Sequence, residues 1–306
     1  MNQVSVIVLS WNRKVDIKET LINLKEQTVK PVEVIVVDQG SDDGTLDMLE
    51  KDFLYVKLIK LHRNFGVPGG RNVGAANAKG NILLFLDNDA NLAPNAIELT
   101  IQKFKNNPML GALGYKIVNA FTNDLDYSSW PYQKSKLKNV NEPFETYTFC
   151  GCGHAIPKKV FEEVGYYWDD LFFSWEESEL SIKILDKGYK ILYDPSIKVY
   201  HRLSSENRTY KTEHECRRLR NSLWVSWKYF PIHESICETF NRFCAYMLKA
   251  VINRCFFKML FSFVSALSRI SLLWAPGKVS FATMKRYRKL SNKGNLWSIL
   301  GEVFSK

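Results

Sequence analysis

Two closely spaced carboxylates, Asp87 and Asp89, directly follow an apolar run at residues 82–86. A run of this length and composition is typical of a strand that is buried on both faces. Ligands of open α/β sheets bind at the carboxyl ends of the strands, so we expect a site at these two residues. Carboxylate oxygens suit a hard divalent cation, and such a cation suits a ligand that carries phosphates. The alternative is a turn in which the aspartates cap the next segment.

A second pair of carboxylates, Glu176 and Glu177, begins a helix that is predicted to run to about residue 188. A carboxylate at the site can accept the proton of an attacking hydroxyl group. Acidic residues in a first helical turn are also favoured by the helix dipole, so capping of the helix is the structural alternative.

A glycine-rich segment at residues 64–72 is predicted to form a loop before a short helix over residues 73–78. A backbone without side chains can approach a ligand closely, and the start of a helix offers amides and a partial positive charge to a phosphate. Gly69 and Gly70 are the candidates for that contact. The segment lacks the spacings of dinucleotide-binding and P-loop motifs, and a plain Gly-Pro turn is the alternative.

The elements that must position these residues alternate between strands and helices. In the first ninety residues, strands with helical segments between them are predicted at residues 4–9, 32–37, 54–61 and 82–86. This alternation predicts a parallel, doubly wound α/β sheet, in which Asp38 and Asp87 follow two strands and face one crevice. After residue 108 the pattern loosens. It predicts a strand at 111–118, a polar and aromatic loop at 119–143, and short strands at 189–193 and 197–200, the last followed by His201.

The composition restricts the class of protein. The chain has 306 residues, of which 46% are hydrophobic, enough for one large domain or a medium domain with an extension. Its six cysteines have neither CxxC nor zinc-ligand spacing, so reduced thiols are expected. The first residues lack the regions of a signal peptide. We therefore expect a cytosolic protein.

Five segments in this order resemble the family 2 glycosyltransferases of GT-A fold. They are residues 4–13, 34–45 with VVDQGSDDGT, 64–74, 84–90 (LFLDNDA), and 175–180 (WEESEL) followed by GYKILYDP and VYHRLS. The resemblance covers residues 1–204, about two thirds of the chain. It implies a GT-A-type, doubly wound and mostly parallel sheet that binds a nucleotide-sugar donor.

The resemblance also implies roles for residues of the donor site. Asp38 matches an aspartate that recognises the nucleobase, typically uracil or thymine, and Asp87 matches the first acid of a DxD-like motif, near the ribose. Asp89 matches the acid that holds Mn²⁺ or Mg²⁺ on the diphosphate. His201 lies where a further metal or phosphate contact is common, although a structural histidine is the alternative. Further donor contacts are expected from Asn12, Arg13, Gly69, Gly70 and Arg71.

Glu177 matches the second member of an acidic pair in the family, commonly the catalytic base. That pair is usually Glu-Asp, whereas this chain has Glu-Glu. The additional methylene extends the reach of the carboxylate by about 1.5 Å. Three alternatives stay open: the acceptor lies correspondingly further away, Glu176 takes part, or the base is weakened. A single base with in-line attack predicts inversion at the anomeric carbon.

The basic character of the chain belongs to its last third. Residues 211–306 contain 17 Lys and Arg residues against 5 Asp and Glu residues, whereas residues 1–210 contain 25 against 27. We expect a catalytic domain over residues 1–210 and a basic, helical extension over residues 211–306 that meets an anionic surface. Nucleic acid is not expected, because the basic residues alternate with bulky aliphatic residues and form no known binding motif.

Residues 255–274 are long enough to span a bilayer, but Lys258, Ser262, Ser265 and Arg269 form one polar stripe along them. Each of the two cations would cost about 3 kcal/mol at the bilayer centre. We therefore expect this segment to lie in the membrane interface, followed by the cations Lys278, Lys285, Arg286, Arg288 and Lys289. The alternative is a helix that is buried against the catalytic domain or in a homodimer.

Together these features predict an inverting, metal-dependent glycosyltransferase on the inner face of a bacterial membrane. The expected donor is a UDP- or dTDP-sugar. The membrane segment favours a lipid-linked acceptor, and the resemblance implies a saccharide on a polyprenyl diphosphate, as in O-antigen or capsule assembly. Two other classes remain open: a scaffold that binds a sugar nucleotide without turnover, and a nucleotidyltransferase on a similar sheet.

Overall fold

A computed structural model describes residues 3–203, 211–273, 278–291, 299–300 and 303–304. The chain divides into two compact units. The first comprises Met1–Phe172 and Glu176–Asn207, and the second comprises Phe173–Trp175 and Arg208–Lys306. The predicted domain boundary between residues 210 and 211 adjoins residues 204–210, which lie outside the described residues.

The first unit is built on a mixed sheet. Its strands are β1 (Val4–Ser10), β2 (Glu33–Asp38), β3 (Lys57–Lys60), β4 (Ile82–Leu86), β5 (Ala90–Leu92), β6 (Leu110–Asn119), β7 (Phe144–Thr146), β8 (Gly153–Pro157) and β9 (Lys190–His201). Its α-helices are α1 (Lys14–Leu24), α2 (Thr45–Asp52), α3 (Gly66–Ala76), α4 (Ala96–Asn106), α5 (Lys158–Glu163) and α6 (Glu176–Asp186). Short 3₁₀ helices cover Tyr127–Ser129, Lys134–Asn139 and Asp169–Leu171.

The strands lie in the order β3-β2-β1-β4-β8-β6-β9-β5, and β7 pairs with β9. β1 lies between β2 and β4 and runs parallel to both, and β2 is parallel to β3. The chain therefore winds to one side of β1 and then returns to the other, as predicted, and the point of reversal lies between β1 and β4. In the later half, β8 is antiparallel to β4 and β6, whereas β6 is parallel to β9. The predicted doubly wound α/β fold is confirmed, with a mixed second half.

The apolar runs that predicted the strands form the core of this unit. All five residues of β4 are buried, as are all but one in β1 and all but the first in β2. Because these three strands are parallel and adjacent, the loops that follow them leave the sheet at one edge. That edge carries the predicted site.

Three predicted elements differ from the observed ones. The glycine-rich segment is largely helical, because α3 begins at Gly66 rather than at residue 73. β3 begins at Lys57 rather than at residue 54, and Leu54 is 83% exposed. The two short strands around Pro195 are one strand, β9, whose register with β6 shifts beside Tyr115. A proline is tolerated in a strand at such an irregularity because the pairing is already interrupted there.

The second unit is helical. Its helices are α7 (Lys211–Tyr229), α8 (Ile232–Ile252), α9 (Phe256–Ser268), α10 (Ile270–Leu273) and α11 (Phe281–Ser291). The predicted helical segment at 255–274 is thus divided at Arg269, and its last residue lies outside the described part of the chain. Within that part, we find no helix whose length and apolar character would let it cross a membrane.

Candidate functional site

The loop with the two aspartates is fastened to the elements around it. Asn88 donates a side-chain hydrogen bond to the carbonyl of Leu9, and the backbone amide of Arg202 donates to the carbonyl of Asp89. Thr20 donates from its hydroxyl to the carbonyl of Asn88 at 2.7 Å. Asp87 leaves β4 directly with a side chain that is 43% exposed, whereas Asp89 is buried. The loop therefore presents one accessible and one enclosed carboxylate.

Asp89 lies beside His201, and a metal or phosphate contact of the two stays a prediction. Nε2 of His201 is 3.4 Å from Oδ1 of Asp89, and Nδ1 is 2.8 Å from Oδ2 of Asp126. Burial favours the neutral imidazole, but the hydrogen bonds to the two aspartates raise the pKa of His201 to about 9. Burial also opposes ionisation of Asp126, yet hydrogen bonds from His201, Ser128 and Ser129 hold its pKa below its usual value. Asp126 is therefore an acceptor that fixes the Nδ1–H side of the ring.

A divalent cation fits this arrangement only together with a ligand. Among the described residues, no group of three or more His, Cys, Asp or Glu side chains is arranged to hold a metal ion. Asp89 and His201 offer a carboxylate oxygen and an imidazole nitrogen close to each other. Mg²⁺ in proteins is commonly held by one or two carboxylates together with substrate phosphates. The residues present thus suit a cation that arrives with a diphosphate.

Arg71 links Asp87 to the acidic pair. It lies in α3, is 3% exposed, and donates from Nη1 to Oε1 of Glu177 at 2.9 Å. Its Nη2 donates to the carbonyl oxygen of Gly151 at 2.8 Å and lies 3.3 Å from Oδ1 of Asp87. A planar guanidinium group can hold several oxygens at once in a fixed geometry. Arg71 thus fixes Glu177 relative to Asp87.

The two glutamates differ in access. The side chain of Glu177 is 18% exposed, whereas Glu176 is 2% exposed and its Oε2 has no hydrogen-bond partner among the described residues. Burial, followed by the neighbouring Glu177 carboxylate, raises the pKa of Glu176 to about 8. Glu177 is therefore the carboxylate of the pair that a hydroxyl group can reach.

The predicted donor contacts near β1 and β2 lie at the same edge of the sheet, where each one interacts with a neighbouring residue of the protein. Both oxygens of Asp38, a fully buried residue, accept hydrogen bonds from Ser41. Asn12 accepts a hydrogen bond from the amide of Asp42 at 2.8 Å. Arg13 places Nη1 3.8 Å from Oδ2 of Asp89. Asp38 thus stabilises the turn that follows β2 through its hydrogen bonds with Ser41. Its contact with a nucleobase stays a prediction.

Gly69 and Gly70 lie inside α3 rather than in a loop. From the fourth position of an α-helix onward, backbone amides are directed to the carbonyl four residues earlier, so they are not available to a phosphate. A Cβ at Gly70 would lie 3.0 Å from Leu9 Cδ2 and 3.1 Å from Gln39 Cδ. The need for glycine at this position therefore comes from close packing against the ends of β1 and β2.

The sequence analysis missed Asp126, Gly151 and Arg202. The Arg202 guanidinium donates to Asn91 Oδ1 and to the carbonyls of Asp16 and Asn88, and its backbone follows His201. Its adjacency to His201 was a usable signal. Asp126 and Gly151 lie in or next to irregular segments whose conformation no periodicity encodes, so the sequence offers no comparable signal for them.

Comparison with known proteins places this geometry in context. The model of Glycosyl transferase family 2 matches residues 5–165. A glucosyl-dolichyl phosphate glucuronosyltransferase of Haloferax volcanii is 26% identical over 245 residues, covering 74% of this chain and 75% of the relative. An O-antigen chain rhamnosyltransferase of Salmonella typhimurium is 25% identical over 209 residues, covering 65% of this chain and 66% of the relative.

Among solved structures, GalNAc-T7 with UDP, GalNAc and Mn²⁺ is similar with a TM-score of 0.66 and 18% sequence identity. The similarity covers all of this chain, which spans 57% of that longer chain. At this level of identity the likeness concerns the fold.

Proposed function

This chain belongs to glycosyl transferase family 2, and we propose that it transfers a sugar, with inversion, from a UDP- or dTDP-sugar to a lipid-linked saccharide. The observation that carries the proposal is the connection through Arg71, whose guanidinium contacts both the donor-side Asp87 and the accessible Glu177. The proposal is supported by this proximity of a candidate proton acceptor to a candidate diphosphate site. Family membership favours a glycosyltransferase over the scaffold and the nucleotidyltransferase.

In this proposal the chain holds the donor at the edge formed by β1, β2 and β4. Asp89 and His201 would hold Mn²⁺ or Mg²⁺, which when bound neutralises the charge of the departing diphosphate. Asp87 is exposed enough to contact the donor, and Asn12, Arg13 and Asp38 line the same edge. Glu177 accepts the proton of the acceptor hydroxyl group as its oxygen attacks the anomeric carbon, and the bond to the nucleoside diphosphate breaks. One base and in-line attack give inversion.

The acceptor is proposed to be a saccharide on a polyprenyl diphosphate. The names of the two relatives support this class, since one acts on a glucosyl-dolichyl phosphate and the other on the O-antigen chain. The proposed setting is therefore bacterial surface polysaccharide assembly at the cytoplasmic side of the cell membrane.

The second unit offers a surface suited to such a membrane. Phe257, Phe261 and Val264 of α9 are 84%, 77% and 56% exposed and follow one another at helical spacing. We name these three residues the α9 apolar face. On the other side of the helix, Met259 and Ala266 are buried. The apolar side chains are thus directed away from the core of their unit. On this exposed side they can enter the acyl layer of a membrane.

Two details of the predicted interfacial segment differ from expectation. Ser262 of the polar stripe is half-buried and donates to the carbonyl of Cys216, so it belongs to the packed side of α9. Two of the cations are ion-paired: Arg288 pairs with Glu234, and Nζ of Lys258 lies 3.7 Å from Oε1 of Glu213. Arg269 is exposed and remains suited to anionic headgroups, which attract a cation by about 1 kcal/mol.

The proposed function is tested with purified protein in Mn²⁺ or Mg²⁺. Thermal shifts are measured with UDP, dTDP, GDP and CMP, and release of the nucleoside diphosphate is then followed with the matching sugar donors and a prenyl-linked acceptor. We expect stabilisation by UDP or dTDP that depends on the cation and is lost in Asp89→Ala. We expect Glu177→Gln to retain that stabilisation but to lose at least about 100-fold in kcat, the usual share of a general base.

Two results contradict the proposal. If no nucleotide stabilises the wild type, the edge of the sheet is not a donor site. If Glu177→Gln transfers sugar as fast as the wild type, Glu177 is not the base.

A further inference from the structure

The Glu177 carboxylate occupies a space that exists only because residue 151 is glycine. A Cβ atom built on Gly151 would lie 2.1 Å from Oε1 of Glu177, far inside contact distance. The next nearest atoms are Cδ of Glu177 at 3.1 Å and Nη2 of Arg71 at 3.2 Å. Any side chain at this position would therefore displace the carboxylate.

The same guanidinium group fastens both sides of that space. Arg71 donates from Nη1 to Oε1 of Glu177 at 2.9 Å and from Nη2 to the carbonyl oxygen of Gly151 at 2.8 Å. Because Arg71 is 3% exposed, packing restricts its own position. The Glu177 carboxylate is thus fixed by its hydrogen bond from Arg71, and the absence of a side chain at Gly151 leaves the space that it occupies.

We propose that Gly151 and Arg71 are positioning residues for Glu177, and that together they accommodate a glutamate where the family pattern usually has an aspartate. The longer side chain folds its carboxylate into the space at Gly151, which compensates for the added methylene. The inference rests on the proposed function, since it assigns to these residues the placement of the base. Placement matters because an error of about 1 Å in a reacting group can cost about 100-fold in rate.

Gly151→Ala is a sharp test, because it is expected to move the base without unfolding the protein. The left-handed backbone conformation, which an alanine resists, occurs at five glycines of the described chain, and Gly151 is not among them. The first atom that the new methyl group meets is the end of a flexible side chain. Gly165→Ala is the control for replacement of a glycine outside the site, because nothing lies within 4 Å of its Cβ position, and its φ of +81° adds backbone strain but no clash.

We expect Gly151→Ala to lower kcat by about 10- to 100-fold while the thermal shift with UDP or dTDP and cation stays at the wild-type value. Gly165→Ala is expected to keep the wild-type kcat. The decisive comparison uses Glu177→Asp, whose shorter side chain withdraws from the space. In that background Gly151→Ala is expected to cause no further loss of kcat, because the carboxylate no longer occupies the space that the new methyl group fills.

Two outcomes overturn the inference while leaving the proposed function intact. One is a Gly151→Ala enzyme with the wild-type kcat, alongside an inactive Glu177→Gln. The other is an equal loss of kcat from Gly151→Ala in the wild-type and Glu177→Asp backgrounds, which would show that the glycine acts through another group. Failure of the proposed function has a different signature, namely no transfer by the wild type or full activity of Glu177→Gln, and it overturns the inference as well.

Discussion

At the scale of single residues, the carboxylates of the candidate site differ in the group that each one contacts. Glu177 has a guanidinium group, Asp89 has an imidazole, and the buried Oε2 of Glu176 has no hydrogen-bond partner within the part of the chain that the structure describes. Burial works against the charge on Asp89, but the hydrogen bond from His201 and nearby cations hold the pKa of Asp89 below its usual value. The three carboxylates thus lie in different electrostatic surroundings.

The pairing of His201 predicts a pH dependence of stability. Its pKa is raised from 6.5 to about 9 in the folded chain, so the folded state binds the proton more tightly than the unfolded state does. This contribution to the free energy of unfolding is fully present below pH 6.5 and is lost as the pH rises to about 9. Its size is of order 3 kcal/mol. The measurement is urea unfolding in EDTA at pH 6, 7, 8 and 9.

His201→Gln isolates the effect, because Glu176 also favours unfolding as the pH rises toward about 8 and is present in both proteins. The difference in stability between wild type and variant is expected to shrink from pH 6.5 to 9. His62→Gln, a change at an exposed histidine, is the matched control. A constant difference across the pH range would show that the two aspartates do not stabilise a protonated ring.

The positions of candidate site residues were predictable at the ends of regular elements and not in irregular segments, and their roles stay predictions. Asp87, Asp89 and His201 each follow or end a strand, and hydrophobic patterning locates strand ends well. Asp126 and Gly151 act through tertiary contacts to His201 and Glu177, residues 75 and 26 positions away in the chain. No local pattern carries such information.

At the scale of elements, α3 connects the sheet to the loop that precedes the acidic pair. Asn72 donates to the carbonyl of Tyr167 and to Asp169, and the amide of Val67 donates to the carbonyl of Phe172. These contacts fix the loop at its start and end. The glycines that were predicted to make a phosphate loop thus let a helix approach the sheet and this loop closely.

Gly66 is the point of closest approach, and its replacement is expected to be costly. It has a φ of +78°, and a Cβ there would lie 2.2 Å from the carbonyl oxygen of Phe172. Gly66→Ala therefore combines left-handed strain with a clash against backbone, which cannot move without displacing the loop. We expect a loss of about 3 kcal/mol or more in the free energy of unfolding.

Gly165→Ala separates the two contributions. Gly165 has a φ of +81°, but nothing lies within 4 Å of its Cβ position. It is expected to lose only about 1 kcal/mol, the cost of the backbone conformation alone. Equal losses in the two variants would show that the contact between Gly66 and the loop does not constrain the fold.

At the scale of the whole molecule, the fold was predictable where it rested on a hydrophobic pattern that extends over many residues. Alternating strands and helices defined the doubly wound sheet, and the likeness to GalNAc-T7 supports its GT-A type. The mixed second half was not predictable, since β8 follows a segment without an α-helix, residues 120–152, and pairs antiparallel with both β4 and β6. The helical character of the last third was predictable, but the side of α9 that packs was not.

The exposed side of α9 leads to the prediction for the whole chain. Phe257→Ser with Phe261→Ser removes the two most exposed residues of the α9 apolar face. Insertion of a phenylalanine ring contributes about 1.5–3 kcal/mol, so the double variant is expected to bind vesicles at least about 100-fold more weakly. The measurement is co-sedimentation with vesicles of mixed zwitterionic and anionic lipid. Binding by the wild type is expected to weaken, without vanishing, as salt is raised, because the cations are screened and the rings are not.

Phe121→Ser is the matched control, because Phe121 is 78% exposed and belongs to the first unit, whereas α9 belongs to the second. It is expected to bind vesicles like the wild type. Analytical ultracentrifugation of the same proteins without lipid measures their oligomeric state. It tests the alternative that this helix is buried in a homodimer. If the double variant binds vesicles normally but changes from dimer to monomer, the α9 apolar face joins two copies of the chain, and the membrane must be reached through another surface.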